Sequence, residues 1–86
     1  MYYVYVLRSR KNGKLYTGFS RNLKTRLDAH LGKRVYSTRR MADLELVFYE
    51  AFKVGRDAQR REKYLKTTKG KRTLKLMLKD SLGALV

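Results

Sequence analysis

Aromatic, β-branched and apolar residues fill positions 2–9, YYVYVLRS, and predict a strand. KNGK follows and marks a hairpin, because Asn12-Gly13 suits a two-residue type I′ turn with both residues at positive φ. KLYTGFS is then the returning strand. Such a turn sets Lys11 opposite Lys14, Ser9 opposite Tyr16, Leu7 opposite Gly18 and Tyr5 opposite Ser20. Alternation puts Tyr3, Tyr5, Leu7, Tyr16 and Gly18 on one face, and Tyr2, Val4, Val6, Leu15, Thr17 and Phe19 on the other. Leu23, Leu27 and Leu31 recur at helical spacing behind a cap at Ser20 or Asn22, with Gly32 as the stop. KRVYSTRRMAD has no period and reads as a basic loop. LELVFYEAFKV is apolar on both faces, as a covered central strand is, with Leu44, Leu46, Phe48 and Glu50 sharing one of them. Gly55 closes that strand and RDAQRREKYLKTTK forms a second helix. Lys69-Gly70-Lys71 breaks the chain before a last short helix with Leu74, Met77 and Leu78 as its stripe. The predicted order is β-β-α-β-α-α: a small α/β sandwich whose mostly antiparallel three-stranded sheet is flanked by helices.

Composition narrows this picture. A chain of 86 residues predicts one domain spanning residues 1–86, with no separate DNA-binding domain. There is no cysteine, which removes disulfides and thiolate metal sites and fits a reducing compartment. The N-terminal apolar stretch is far shorter than the ~20 residues of a membrane helix. It also lacks the basic leader and small-residue cleavage site of a signal peptide, so the expected location is the cytoplasm. Twenty-two Lys and Arg against seven acids give a net charge of +15, which points to a polyanionic partner, nucleic acid above all. Charge alone does not separate a binder from an enzyme.

A few polar groups fall where apolar ones are expected. Glu62 lies between Ala58 and Leu65 on the inward stripe of the second helix, where a carboxylate must be paired, protonated or bound to a metal. An ion pair with Arg26 or another helix cation is the plainer reading. Glu50 is a second candidate, although its position near the strand end favours simple exposure. Arg26 and His30 stand one turn apart on the first helix. Arg26 is placed either to hold a phosphate bidentately or to snorkel at the surface. His30, the only histidine, is by itself as well read as a charge complement to the helix C-terminus. Tyr5 and Tyr16 share a face beside the opening at Gly18, and their hydroxyls meet only if the rings lean inward.

Together these residues resemble the GIY-YIG nuclease family, and the likeness runs across nearly the whole chain. The first motif appears as Tyr3-Val4-Tyr5 and the second as Tyr16-Thr17-Gly18. The family's catalytic arginine falls on Arg26, its metal-binding glutamate on Glu62, and a histidine found in many members on His30. The sequence is most similar to small stand-alone members and to the N-terminal nuclease domain of the excision-repair nuclease. Tyr3 replaces the opening glycine of the first motif, and Phe19 stands where repair-type members carry a lysine. The resemblance implies an endonuclease that hydrolyses phosphodiester bonds in DNA, including structured or damaged DNA. In it Tyr5, Tyr16, Arg26, His30 and Glu62 are catalytic, with Tyr16 positioning or deprotonating the attacking water and Arg26 clamping phosphate. So few acids suit one divalent ion, Mg²⁺ or Mn²⁺, held by Glu62, since Mg²⁺ keeps most of its waters. A basic nucleic-acid-binding module that keeps the fold without turnover is the alternative.

Overall fold

A computed structural model describes residues 1–83. In chain order its elements are β1 (Tyr2–Ser9), β2 (Leu15–Ser20), α1 (Leu23–Leu31), β3 (Leu44–Phe52), α2 (Gly55–Leu65), α3 (Thr68–Met77) and a short α4 (Lys79–Leu82). The expected β-β-α-β-α-α order is borne out, with α4 added as a final turn. Both strand pairings are antiparallel and the sheet order is β2-β1-β3. The central strand is therefore β1, and β3 lies at an edge rather than in the middle.

The two faces of β1 are buried against different partners. Val4 and Val6 pack with Ala58 and Leu65 of α2 and with Leu74 and Leu78 from the α3 region. Tyr5 and Leu7 point the other way and are equally buried, alongside His30 of α1 and Val35 and Thr38 of the following loop. Both faces of β1 thus lose their water, which is why its sequence runs almost without a polar break.

The hairpin differs from its expected form. The Ser9 N–H donates to the Lys14 carbonyl at 2.9 Å, so Arg10–Gly13 forms the loop and only Gly13 takes positive φ, at 75°. Tyr5 consequently faces Gly18, and Leu7 faces Tyr16. The cause is Ser9, which is fully buried and donates its hydroxyl to the Ala42 carbonyl at 2.6 Å while accepting from the Lys11 N–H. That side chain belongs to the sheet, so the turn must close further out. The register slides by an even number of residues, and every side chain keeps its expected face.

Other boundaries shift for equally local reasons. A bulge between Val6 and Leu7 along the β1–β3 ladder puts Leu44 and Leu46 on the Tyr5 face, while Phe48 and Glu50 fall on the Val4 face. The four do not share one face as strict alternation requires. The Asn22 side chain caps α1 by accepting from the Thr25 N–H. The buried residue of that helix is His30, at three residues beyond Leu27, and Leu31 is 63% exposed. The second helix ends at Leu65, and α3 begins at Thr68, capped by Thr67, so Gly70 sits inside a helix instead of breaking one. A Cβ on Gly70 would collide with the Tyr64 carbonyl and the Leu65 backbone, so glycine is what lets α3 cross closely behind α2. Leu74 and Leu78 are buried as expected, whereas Met77 is 44% exposed.

The stretch between α1 and β3 is irregular but anchored. Lys33 and Asp43 bracket it in left-handed backbone, at φ 58° and 53°, each at a cost of about 1 kcal/mol or more for a residue with a side chain. Between them Val35 and Thr38 are buried while most of their neighbours are exposed. No described helix is long and apolar enough to cross a membrane.

Candidate active site

Tyr5 lies in the middle of the sheet with no exposed surface, and its ring leans over Gly18, where a Cβ would strike the phenol. The opening expected beside the two tyrosines is thus filled by Tyr5 itself. Its hydroxyl meets Nε2 of His30 at 2.7 Å, and Nδ1 of His30 meets the Thr38 hydroxyl at 2.6 Å. Tyr16 completes the cluster: its ring centre is 6.4 Å from that of Tyr5 and 5.2 Å from that of His30. Both tyrosines and His30 are therefore brought together. Tyr16 keeps part of its surface in solvent, whereas Tyr5 and His30 do not.

Arg26 projects from α1 beside both phenols and is otherwise exposed. Burial pushes the Tyr5 phenol above its ordinary pKa, and the Arg26 guanidinium opposes that rise without cancelling it. Tyr5 in turn holds the Arg26 charge more firmly than water does. The charge of Glu62 adds a minor push to Tyr5 in the raising direction. Glu62 comes from α2, whose Ala58 and Leu65 pack on the Val4 face. Its direct partner is Lys66 on the same helix at 3.1 Å, and its side chain is 21% exposed. The plainer ion-pair reading holds with a helix cation other than Arg26.

Glu50 is not simply exposed. It accepts from Nε of Arg61 at 2.9 Å and from Nη2 at 3.3 Å, a two-point pair of half-buried side chains that ties β3 to α2.

His30 carries a consequence for pH. Burial pushes its pKa below the ordinary value, and the Arg26 charge adds to the effect. An unfolded imidazole takes up its proton near pH ~6.5, so just below that pH the unfolded chain binds more protons than the folded one. Stability from His30 is present above pH ~6.5 and is lost as pH falls through the lower folded pKa. The thermal midpoint is expected to hold between pH 8 and 7 and to decline on acidification below about 6.5. A midpoint that rises or stays level over that window contradicts a buried neutral imidazole.

The donor groups limit what metal the site can hold. Among the described residues no three His, Cys, Asp or Glu side chains come together. Both His30 nitrogens are already engaged, so the imidazole is not a free ligand. Glu62 remains, in a weak surface pair that a divalent cation can displace. One carboxylate fits a hard ion such as Mg²⁺, which fills its other positions with water and substrate phosphate.

Beside Tyr16 runs a groove of about 930 Å³ between β2 and the α2–α4 side. Lys14, Lys66, Lys71, Lys75 and Lys79 line it above a floor of leucines, and no acidic residue does. On the loop after α1, the Arg39 guanidinium stacks 4.5 Å over the exposed Tyr36 ring.

The small antiparallel sheet carries paired tyrosines with a guanidinium beside them, in an α/β domain. The description GIY-YIG catalytic domain matches residues 1–75, and the chain belongs to the GIY-YIG nuclease family. Among relatives, a UPF0213 protein of Clostridium perfringens is 39% identical over 83 residues, covering 95% of this chain and 88% of the relative. A UPF0213 protein of Staphylococcus haemolyticus is 34% identical, covering 88% and 93%. The solution NMR structure of a UPF0213 protein from Bacillus halodurans is similar at a TM-score of 0.56 and 31% identity, covering 90% of this chain and 85% of that one. The expected family and fold are both borne out.

Proposed function

We propose that the chain is a divalent-metal-dependent endonuclease that hydrolyses phosphodiester bonds in DNA, including structured or damaged DNA. The observation that carries this reading is the meeting of Tyr5, Tyr16 and His30 beside Arg26. Sheet packing alone has no use for a cation next to two phenols. Arg26, exposed and held protonated, binds the phosphoryl oxygens and stabilises the charge that grows on them during attack. Tyr16, the phenol with solvent access, orients the water that attacks phosphorus. Tyr5 is sealed off and works from behind, fixing Gly18, the Tyr16 ring and His30 relative to one another. Glu62 would hold the cation, Mg²⁺ or Mn²⁺. When bound, such an ion polarises the phosphate and stabilises the departing oxygen.

The lysine groove and the basic loop after α1 supply the tracks for the DNA backbone. Affinity for labelled DNA is therefore expected to fall steeply with salt. With roughly six phosphates neutralised, the loss between 50 and 200 mM is roughly 10³-fold. Affinity unchanged over that range would remove nucleic acid as the partner of this surface. Incubating the protein with DNA and RNA duplexes, branches and single strands, with Mg²⁺, Mn²⁺ or EDTA, tests turnover. Binding without metal-dependent cleavage of any of them would leave the non-catalytic module.

A further inference from the structure

We propose that the outer edge of β3 pairs antiparallel with β3 of a second copy of this chain, joining two three-stranded sheets into one continuous sheet about a two-fold axis. The order β2-β1-β3 leaves β3 with a neighbour on one side only. Among the described residues, no backbone hydrogen bond outside the β1 ladder involves residues 44–52. The N–H and carbonyl groups that β1 does not take therefore face outward. Such an edge is ordinarily blunted by shortness, proline or lysine. Here the edge is the longest strand, and LELVFYEAF holds no proline and none of the 22 Lys and Arg of the chain.

Charge selects the occupant. At +15 the chain repels copies of itself over most of its surface. The other edge, β2, borders the groove lined by Lys14, Lys66, Lys71, Lys75 and Lys79, which turns away a second cationic chain and attracts nucleic acid. Glu45 and Glu50, two of the seven acids, lie on β3, and among the described elements it alone has a net negative charge. Arg8 and Arg10 hold Glu45, and Arg61 holds Glu50, so the edge is close to balanced. Two copies meet there with the least repulsion.

The side chains fix the register. The bulge inserts Val47 and reverses the alternation of β3, so Leu44, Leu46, Tyr49 and Ala51 lie on the Tyr5 face, with Glu45, Phe48 and Glu50 on the Val4 face. A bulge spoils pairing with a regular strand, but a two-fold axis between Val47 and Phe48 sets the two bulges across from each other. Like faces then meet from Leu44 to Ala51. Leu46 comes opposite Tyr49 of the second copy; these are the exposed large apolar side chains of β3, at 36% and 53%, and each covers the other. Glu45 comes opposite Glu50 of the second copy, with Arg8 and Arg10 on one side of the two carboxylates and the second Arg61 on the other. A slip of one residue sets Leu46 against Phe48 or Glu50, which belong to the opposite face. Tyr16, on β2 at the far side of the sheet, stays open.

The pairing does not rest on the nuclease reading and is tested without substrate. Sedimentation of the full chain is expected to show a monomer–dimer equilibrium with Kd on the order of 10–100 μM. Raising salt from about 50 to about 500 mM is expected to tighten it roughly tenfold, the reverse of its effect on DNA affinity, because screening relieves the repulsion between like-charged chains. Leu46→Lys and, separately, Tyr49→Lys are expected to weaken the dimer by roughly tenfold or more, with the monomer still folded. Because the chain has no cysteine, introduced thiols report the register. The double variant Leu46→Cys/Tyr49→Cys is expected to oxidise to a covalent dimer, and neither single variant to do so. Within one chain the two positions are about 10 Å apart along the strand, too far for a disulfide to close. A wild type that stays monomeric at roughly 1 mM in high salt overturns the proposal. So does a dimer that both lysine variants leave intact, since its contact then lies elsewhere. A double-cysteine chain that forms no more covalent dimer than the single variants overturns it as well, and this arm decides even where a lysine variant fails to fold.

Discussion

Replacing Glu62 with glutamine is expected to cut cleavage by roughly 10²–10³-fold or more while the thermal midpoint moves by only a few degrees. Glutamine has nearly the same shape but cannot supply the charge that holds a divalent ion. The stability side follows from the partner of Glu62. Lys66 is more than half exposed and sits four residues along the same helix. A pair of this kind contributes about 0.3–0.5 kcal/mol. For a domain of this size that corresponds to roughly 1–4 °C. Had Glu62 been paired with a buried cation, its removal would have stranded that charge and cost ~3–5 kcal/mol. Thermal melting and cleavage on one preparation separate the cases, and EDTA added to the wild type should reproduce the loss. A Glu62→Gln protein that still cuts at the wild-type rate removes Glu62 from the site.

Tyr16→Phe is expected to lower the cleavage rate by ~10²–10⁴-fold with DNA affinity at fixed salt and the thermal midpoint both preserved. The ring would continue to pack against Tyr5 and His30. Beyond its approach to the exposed Arg26, the hydroxyl makes no hydrogen bond to another described residue, so folding does not depend on it. An activity loss without a stability loss therefore reports chemistry rather than packing. Wild-type cleavage by the phenylalanine variant would assign Tyr16 to the sheet alone.

Much of this was legible in the pattern of residues. Strand alternation assigned Tyr5, Tyr16 and Gly18 to one face, and an even slip of the hairpin could not change that. The helical spacing set Glu62 between Ala58 and Leu65, which are buried, whereas Glu62 itself reaches the edge of that stripe and pairs with Lys66. His30 was harder, because Leu27 has two neighbours one turn on. Leu31 continues the apolar stripe, yet His30 is the one turned inward, where Tyr5 and Thr38 satisfy both nitrogens. A polar residue with two partners outcompetes a leucine with none, and neither partner is near it in sequence. Thr38 itself carried no signal, since a loop without a period gives no face to read. The bulge beside Val6 was hidden for the opposite reason: β3 is apolar on both sides, so its alternation fits either register.

The place of β1 in the middle of the sheet also sets an order of assembly. Its pairing with β2 closes a short loop, whereas its pairing with β3 must wait for the whole stretch 10–43 to fold back. Closing the longer loop costs more chain entropy and slows the search. Until β3 arrives, the hairpin lacks its second neighbour along β1, and the end of the loop that carries Thr38 is not yet held by Ser9. The part of the aromatic cluster that depends on this loop is therefore expected to order after the hairpin. Assembly of the Tyr5, His30 and Thr38 contacts is expected to be timed by the longest closure in the sheet.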